Sequence, residues 1–201
     1  SLEDWNIARD TIEPLLTPRT RAICVVHYAG YVCDMAPIAA LARERGLALI
    51  EDVAHAPGAS RDGRGAGNWG DAGCFSFFSN KNMTTGEGGM ITTSRDDLAE
   101  SLRRLRAHGM TTVTLDRHKG HAFSYDVLGL GYNFRMTEIT AALGLVQLRH
   151  LRDRNGRRRE LVEHYRRRLA QIPGISVPFA DHPSASAFHI MPVLLSAGAS
   201  R

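Results

Sequence analysis

Over the first half of the chain, short apolar runs alternate with stretches of helical spacing. Ala22-Ile23-Cys24-Val25-Val26 is compact and β-branched, and predicts a buried strand that gives way to the loop His27-Tyr28-Ala29-Gly30. Before it, residues 2–20 hold scattered apolar positions and two prolines, Pro14 and Pro18, which predict a loop and a short helix over 7–16. Residues 35–45 have helical periodicity, with Asp34 placed to cap the start and Gly46 to stop the helix. A second strand is predicted over 47–50, ending at Glu51-Asp52. A Gly-, Asn- and Asp-rich loop follows over 58–71, then an apolar run over 72–78 and a further strand over 89–93. Residues 96–107 read as an amphipathic helix with Ser94 as its cap. Residues 108–132 lack periodicity and read as loop. Helical spacing resumes at Thr137 and passes through Leu143, Val146, Leu148 and Leu151 to Leu161, Tyr165 and Leu169, with Asn155-Gly156 as a candidate kink or break. Beyond Pro173-Gly174, residues 175–177 and 188–195 read as short strands. No internal repeat or low-complexity segment is present.

Alternating strands and helices imply a mostly parallel sheet clad in helices, an α/β class. In such sheets ligands bind beyond the carboxyl ends of the strands. His27, Asp52 and Lys81 fall after the first, second and third strands, so one shared site is expected there. Lys81 stands out chemically. The chain has two lysines, Lys81 and Lys119, against 23 arginines. Lysine can lose its proton and form an imine, and arginine does neither readily. The commonest use of such a lysine is to hold pyridoxal phosphate, with a carboxylate at the pyridine nitrogen, and Asp52 is placed to be that carboxylate.

The 201 residues suffice for one sizeable domain, or one and part of another. Hydrophobic residues make up 43% and charged residues 23%, ordinary for a globular protein. No apolar run is long enough to span a bilayer and no N-terminal secretion signal is read, so the expectation is a cytoplasmic protein without membrane contact. Three cysteines, Cys24, Cys33 and Cys74, lack metal-ligand spacing and read as reduced, buried thiols. The net charge of +4 raises nucleic acid as a partner. Much of that charge lies in a helical stretch, in Arg157-Arg158-Arg159 and Arg166-Arg167-Arg168, where a solvated helix face is the plainer reading. No helix-turn-helix or aromatic interleaving accompanies it. His118 and His121 form an HxxH pair without an evident third ligand, so no metal site is expected.

An ordered set of motifs then resembles one family. It comprises Glu51-Asp52-Val53-Ala54-His55, Gly70-Asp71, Cys74-Phe75-Ser76-Phe77-Phe78-Ser79-Asn80-Lys81-Asn82, Gly86-Glu87-Gly88-Gly89 and Gly131-Tyr132-Asn133-Phe134-Arg135-Met136-Thr137-Glu138. Together they are similar to the DegT/DnrJ/StrS family, chiefly sugar aminotransferases that depend on pyridoxal 5'-phosphate (PLP) and have fold type I. The likeness extends from about Thr20 to Phe179. It implies a three-layer α/β/α large domain with a mostly parallel sheet, over residues 1–155. Residues 156–201 would be a linking helix and the start of a small α+β C-terminal domain. By the same resemblance Lys81 is the Schiff-base lysine and Asp52 the partner of the pyridine nitrogen. Ala54 packs under the ring and His55 lies near its 3-hydroxyl. Ser76 bonds the phosphate, and Asn133 reaches the phosphate of a neighbouring subunit, so a homodimer with shared active sites is implied.

The implied reaction moves an amino group, from a donor such as glutamate, to a keto-sugar carried on a nucleotide, in amino-sugar, cell-surface polysaccharide or antibiotic biosynthesis. Relatives that carry out dehydration have histidine at the lysine position, and Lys81 argues against that branch. Family members are longer at both ends, so the chain reads as a central fragment. The phosphate-cradling turn and the aromatic residue over the ring would come from the N-terminal part. Two other readings stand beside this one: a family member that retains the fold without catalysis, and a DNA-binding regulatory protein.

Overall fold

The computed structural model describes residues 5–111 and 126–196. Its centre is a four-stranded sheet of β1 (Ala22–Val26), β2 (Ala48–Asp52), β5 (Ala72–Ser76) and β6 (Gly89–Thr92), in that spatial order. The first three strands are parallel, and β6 returns antiparallel to β5. This is the α/β class with a mostly parallel sheet that the alternating pattern predicts. Two small ribbons flank it, β3 (Ser60–Arg61) with β4 (Arg64–Gly65), and β7 (Ile175–Ser176) with β8 (Leu194–Leu195). The helices are α1 (Arg9–Ile12), α2 (Met35–Glu44), α3 (Asp96–Leu105) and α4 (Glu138–Leu169).

Register decides which side chains share a face. Val26 lies opposite Asp52, and Asp52 opposite Cys74. Successive residues of a strand point to opposite faces. One face therefore carries Ile23, Val25, Leu49, Glu51 and Gly73, and it is closed by Met35, Ile38, Leu41 and Ala42 of α2. Full burial of each large aliphatic side chain there contributes about 1.5–3 kcal/mol. The other face carries Cys24, Val26, Asp52, Cys74 and Ser76. Among the described residues it has no comparable cover, and Val26 is exposed. The runs that suggested strands buried on both faces are thus half-open, and the expectation of buried cysteines needs correction. Cys33 is buried, Cys74 is partly covered, and Cys24 is exposed because it sits on the open face.

Helix ends differ from expectation in their caps. Asp34 precedes α2 without a side-chain capping bond and instead pairs with Arg61. Arg95, not Ser94, occupies the residue before α3. Asp71 uses one carboxylate oxygen to accept the Leu49 N–H and the other to accept Arg95. Thr137 does cap α4, accepting the Thr140 N–H. Asn155-Gly156 neither kinks nor breaks α4, which runs unbroken from residue 138 to 169. Leu151, Asn155 and Val162 form its buried stripe. The expected strand over 188–195 is reduced to its last residues, because 185–189 bonds instead to Ser60, Gly30 and Ala29. His118 and His121 lie outside the described residues.

Candidate active site

β2 ends in two adjacent acids with opposite fates. Glu51 points into the closed face and is fully buried. One of its oxygens accepts the Trp69 and Gly70 N–H groups at 2.6 and 2.8 Å. The other accepts the Gly67 N–H at 2.8 Å and lies 3.0 Å from His27 Nε2. Burial pushes the Glu51 carboxyl up, but the His27 bond and the three backbone donors outweigh it and hold the group below the usual carboxylate range. The Cys33 N–H donates to His27 Nδ1, so the ring proton sits on Nε2 and points at Glu51. His27 therefore belongs to a buried structural pair and does not join the site on the open face, contrary to its expected sharing with Asp52 and Lys81. What Glu51 holds is the 67–70 loop, which lies so close on β5 that a Cβ at Gly73 would collide with the Gly67 Cα.

Asp52, one residue on, faces the open side. Its Oδ1 accepts the Ala54 N–H at 2.9 Å, which turns the chain toward His55. Ser76 ends β5 on the same face, and its Oγ accepts the Phe78 N–H at 3.3 Å. Lys81 follows on a turn built by Lys81 N–H donating to the Phe78 carbonyl, and it is half-buried. The turn is anchored by Phe77 and Met83, which pack with Leu151 of α4. His55 feels both charges: burial lowers its pKa first, the Lys81 charge lowers it further, and Asp52 opposes. Asp52, His55 and Lys81 are thus brought into one electrostatic cluster at the carboxyl ends of the strands, with Ala54 between the first two and Ser76 at its margin. Asn133 is not drawn in by the contacts it makes. It is exposed, accepts Arg135 Nε–H at 2.9 Å, and bridges to Ala107.

Several residues join the site without having been read from the sequence. His189 stacks on His55, with ring centroids 4.4 Å apart and planes 30° from parallel. Asn82, directly after Lys81, is buried and bonds to His189, Asn155 and the Ala187 carbonyl. The one available signal was Asn155, a polar residue on the apolar stripe of a long helix.

These groups fit PLP chemically. Lys81 offers an amine without a hydrogen bond or ion pair among the described residues, Asp52 a carboxylate on the open face, and Ser76 a hydroxyl at the end of β5. His55 Nδ1 is shielded from solvent and has no hydrogen-bond partner among the described residues. No cluster of metal-ligating side chains occurs among the described residues, and no described helix is long and apolar enough to cross a membrane.

Comparison with known proteins points the same way. The model of the DegT/DnrJ/EryC1/StrS aminotransferase family matches residues 1–201. GDP-perosamine synthase of Caulobacter vibrioides is 45% identical over 168 residues, covering 84% of this chain and 43% of that protein. The structure of Helicobacter pylori PseC, an aminotransferase involved in the biosynthesis of pseudoaminic acid, superposes with a TM-score of 0.86. It is 31% identical and the match covers 96% of this chain and 50% of that one. Spr1654 of Streptococcus pneumoniae, solved in a PLP form and in a PMP form, matches with TM-scores of 0.86 and 0.87 at 27% identity. All of this chain is covered, and 54% and 55% of those chains. The chain spans about half the length of the curated relatives it matches.

Proposed function

The chain belongs to the DegT/DnrJ/EryC1/StrS aminotransferase family, and on that premise we propose that the protein containing it is a PLP-dependent aminotransferase. It would transfer an amino group from a donor such as glutamate to a keto-sugar, carried on a nucleotide, in the biosynthesis of amino sugars. The observation that carries this reading is that Asp52, ending β2 on the open face of the sheet, and Lys81, on the turn after β5, both act on His55. Bound there, PLP supplies an electron sink that stabilises a carbanion at the donor's α-carbon.

The roles of the side chains follow from their chemistry. Lys81 Nζ is the amine that would hold the cofactor and the base that would accept a proton from the donor's α-carbon. Asp52 would present its carboxylate to the pyridine nitrogen and favour that nitrogen's protonated state. A shift of two pKa units there corresponds to about 2.7 kcal/mol of differential interaction. Ala54 would offer a small apolar surface to the ring, and His55 would be a partner for its hydroxyl. Ser76 Oγ–H is a donor for the phosphate.

Asn133 fits a role toward the phosphate of a second subunit, because its exposure suits an intermolecular contact. The exposed apolar residues of α4, among them Ile139 at 84% exposure, Leu143 and Val146, favour a homodimer in which that face is covered. The division into a large domain over 1–155 and a linking helix with a small domain over 156–201 remains part of this proposal, with α4 crossing the boundary. A cytoplasmic location belongs to it as well.

The basic clusters favour this reading over nucleic-acid binding. Arg157 and Arg159 pair with Glu160 and Glu163, and Arg166 bonds to Tyr31 and to the Pro178 and Phe179 carbonyls. The test is a half-reaction. Glutamate added to the PLP-loaded protein should shift the cofactor's absorbance, and one member of a panel of keto-sugar nucleotides should restore it. A spectrum indifferent to every amino donor would refute the proposal.

A further inference from the structure

Lys81 is followed by a residue that ties together three distant parts of the chain. Asn82 is 3% exposed. Its Nδ2 donates to the Asn155 Oδ1 at 2.8 Å and to the Ala187 carbonyl at 2.6 Å. Its Oδ1 lies 2.8 Å from His189 Nδ1. The amide orientation is fixed, because the Ala187 carbonyl can only accept. His189 Nδ1 must then be the donor to Oδ1, and Nε2 retains its lone pair. Asn155, from the middle of α4, donates its own Nδ2 to the Pro57 carbonyl at 3.0 Å, two residues beyond His55. His189 closes the circuit by stacking on His55. The lysine turn, the Asp52–His55 turn, the long helix and the 185–189 segment are therefore joined through one pair of buried amides.

The backbone is shaped to permit this. Gly30 has φ of +98°, and a Cβ there would lie 3.0 Å from the His55 carbonyl oxygen and 3.1 Å from the His189 nitrogen. The His189 and Ala187 N–H groups donate to the Ala29 and Gly30 carbonyls, which pins the 187–189 segment beside the site. The Arg158 guanidinium reaches the His189 carbonyl from α4. Two buried amides bonded to each other, one of them with both its N–H groups used, meet next to the single lysine of the site and exceed what is needed to hold a surface turn.

We propose that Asn82, Asn155 and His189 are positioning residues for Lys81: a hydrogen-bonded hub that fixes the turn carrying its amine and holds His189, in its Nδ1–H form, against His55. The inference rests on the reading of Lys81 as the reactive lysine, and it adds that residues more than seventy positions downstream set where that amine stands. Electrostatics agree with the geometry. Burial, then His55, Lys81 and Arg158, lower the His189 pKa to about 4, so the ring adds no charge beside the amine at neutral pH.

The test needs no cofactor. Lys81 and Lys119 are the two lysines of the chain, so the acylation rate of Lys81 can be referenced to Lys119 in the full chain by peptide mapping. His189→Phe keeps a ring for stacking and loses the donor, whereas His189→Asn keeps an amide donor and loses the ring. His189→Phe should accelerate Lys81 acylation about fivefold relative to Lys119, the factor that one hydrogen bond is worth. His189→Asn should stay closer to wild type, and Asn155→Leu should resemble His189→Phe. In the PLP-loaded protein the pH midpoint of the cofactor's absorbance should shift in the same variants and in the same order. Unchanged Lys81 rates in His189→Phe and Asn155→Leu, with melting temperatures merely lowered, would overturn the proposal by making the hub purely structural. Equal acceleration in His189→Phe and His189→Asn would overturn the hydrogen-bonding role. Should the wild-type protein fail to take up PLP, the functional reading fails while the acylation ratios still judge the hub.

Discussion

At the scale of single residues, the end of β2 shows how a strand's alternation divides labour between neighbours. Glu51 turns inward and spends its whole accepting capacity on His27 and the 67–70 loop, whereas Asp52 turns outward to the open face. Glu51→Gln should destabilise the fold by about 3 kcal/mol, because a buried partner set built for a carboxylate is left mismatched. Denaturant unfolding at neutral pH measures it. The Glu51 pKa is depressed on folding, so its contribution is present above the ordinary carboxylate value and lost as pH falls through the folded one. The Glu51→Gln protein should therefore lose less stability on acidification. His189 has the opposite charge type with the same sign of slope. Its pKa falls from 6.5 to about 4 on folding, so the unfolded chain binds more protons between those values, and stability is full above pH 6.5 and declines toward pH 4. The effect should be about 1–2 kcal/mol after allowance for solvent screening of a half-buried ring. A pH series of melts on His189→Asn should show a flatter slope in that window, with the remainder due to His55.

At the scale of elements, α4 joins the lysine turn to the rest of the fold through Leu151 and Asn155. Asn155→Leu keeps the number and branching of side-chain heavy atoms but leaves one Asn82 amide N–H and the Pro57 carbonyl without their partner, and should cost about 1–3 kcal/mol in chemical unfolding. The same residue marks the border of what the sequence disclosed. β1, β2 and the helix α2 were legible because their apolar periodicities are local and strong. The positions of Asp52 at the end of one strand and Lys81 beyond the next were legible too, since a parallel α/β arrangement dictates where such ends gather, whereas Ser76 was expected inside its strand and closes it. Asn155-Gly156 suggested a break because local propensity favours one, but the buried bonds of Asn155 hold the helix straight. His189 was invisible for a different reason. Its place depends on pairing between 185–189 and residues 29, 30 and 60, contacts between segments more than a hundred residues apart, and no local pattern encodes them. Cys24 was misread because an apolar run does not reveal whether one or both faces of a strand are covered.

At the scale of the whole molecule, the chain presents one closed face of its sheet and one face that carries the candidate site. It spans about half the length of relatives that share its fold. The shared-site proposal makes a prediction that a single subunit cannot satisfy. Lys81→Ala and Asn133→Ala, each inactive or nearly so alone, should regain activity when the two full-length variants are unfolded and refolded together. The recovery arises because hybrid dimers rebuild one intact site. Absence of recovery, with dimers present by sedimentation, would confine Asn133 to its own subunit. The central claim, that Lys81 at the end of the β5 turn is the residue to which PLP is joined, has a direct measurement. The protein is loaded with PLP, reduced with borohydride, digested and mapped by mass spectrometry. The account predicts a pyridoxyl mass on the peptide containing Lys81 and none on that containing Lys119, and a reduced protein with label elsewhere or with no label would contradict it.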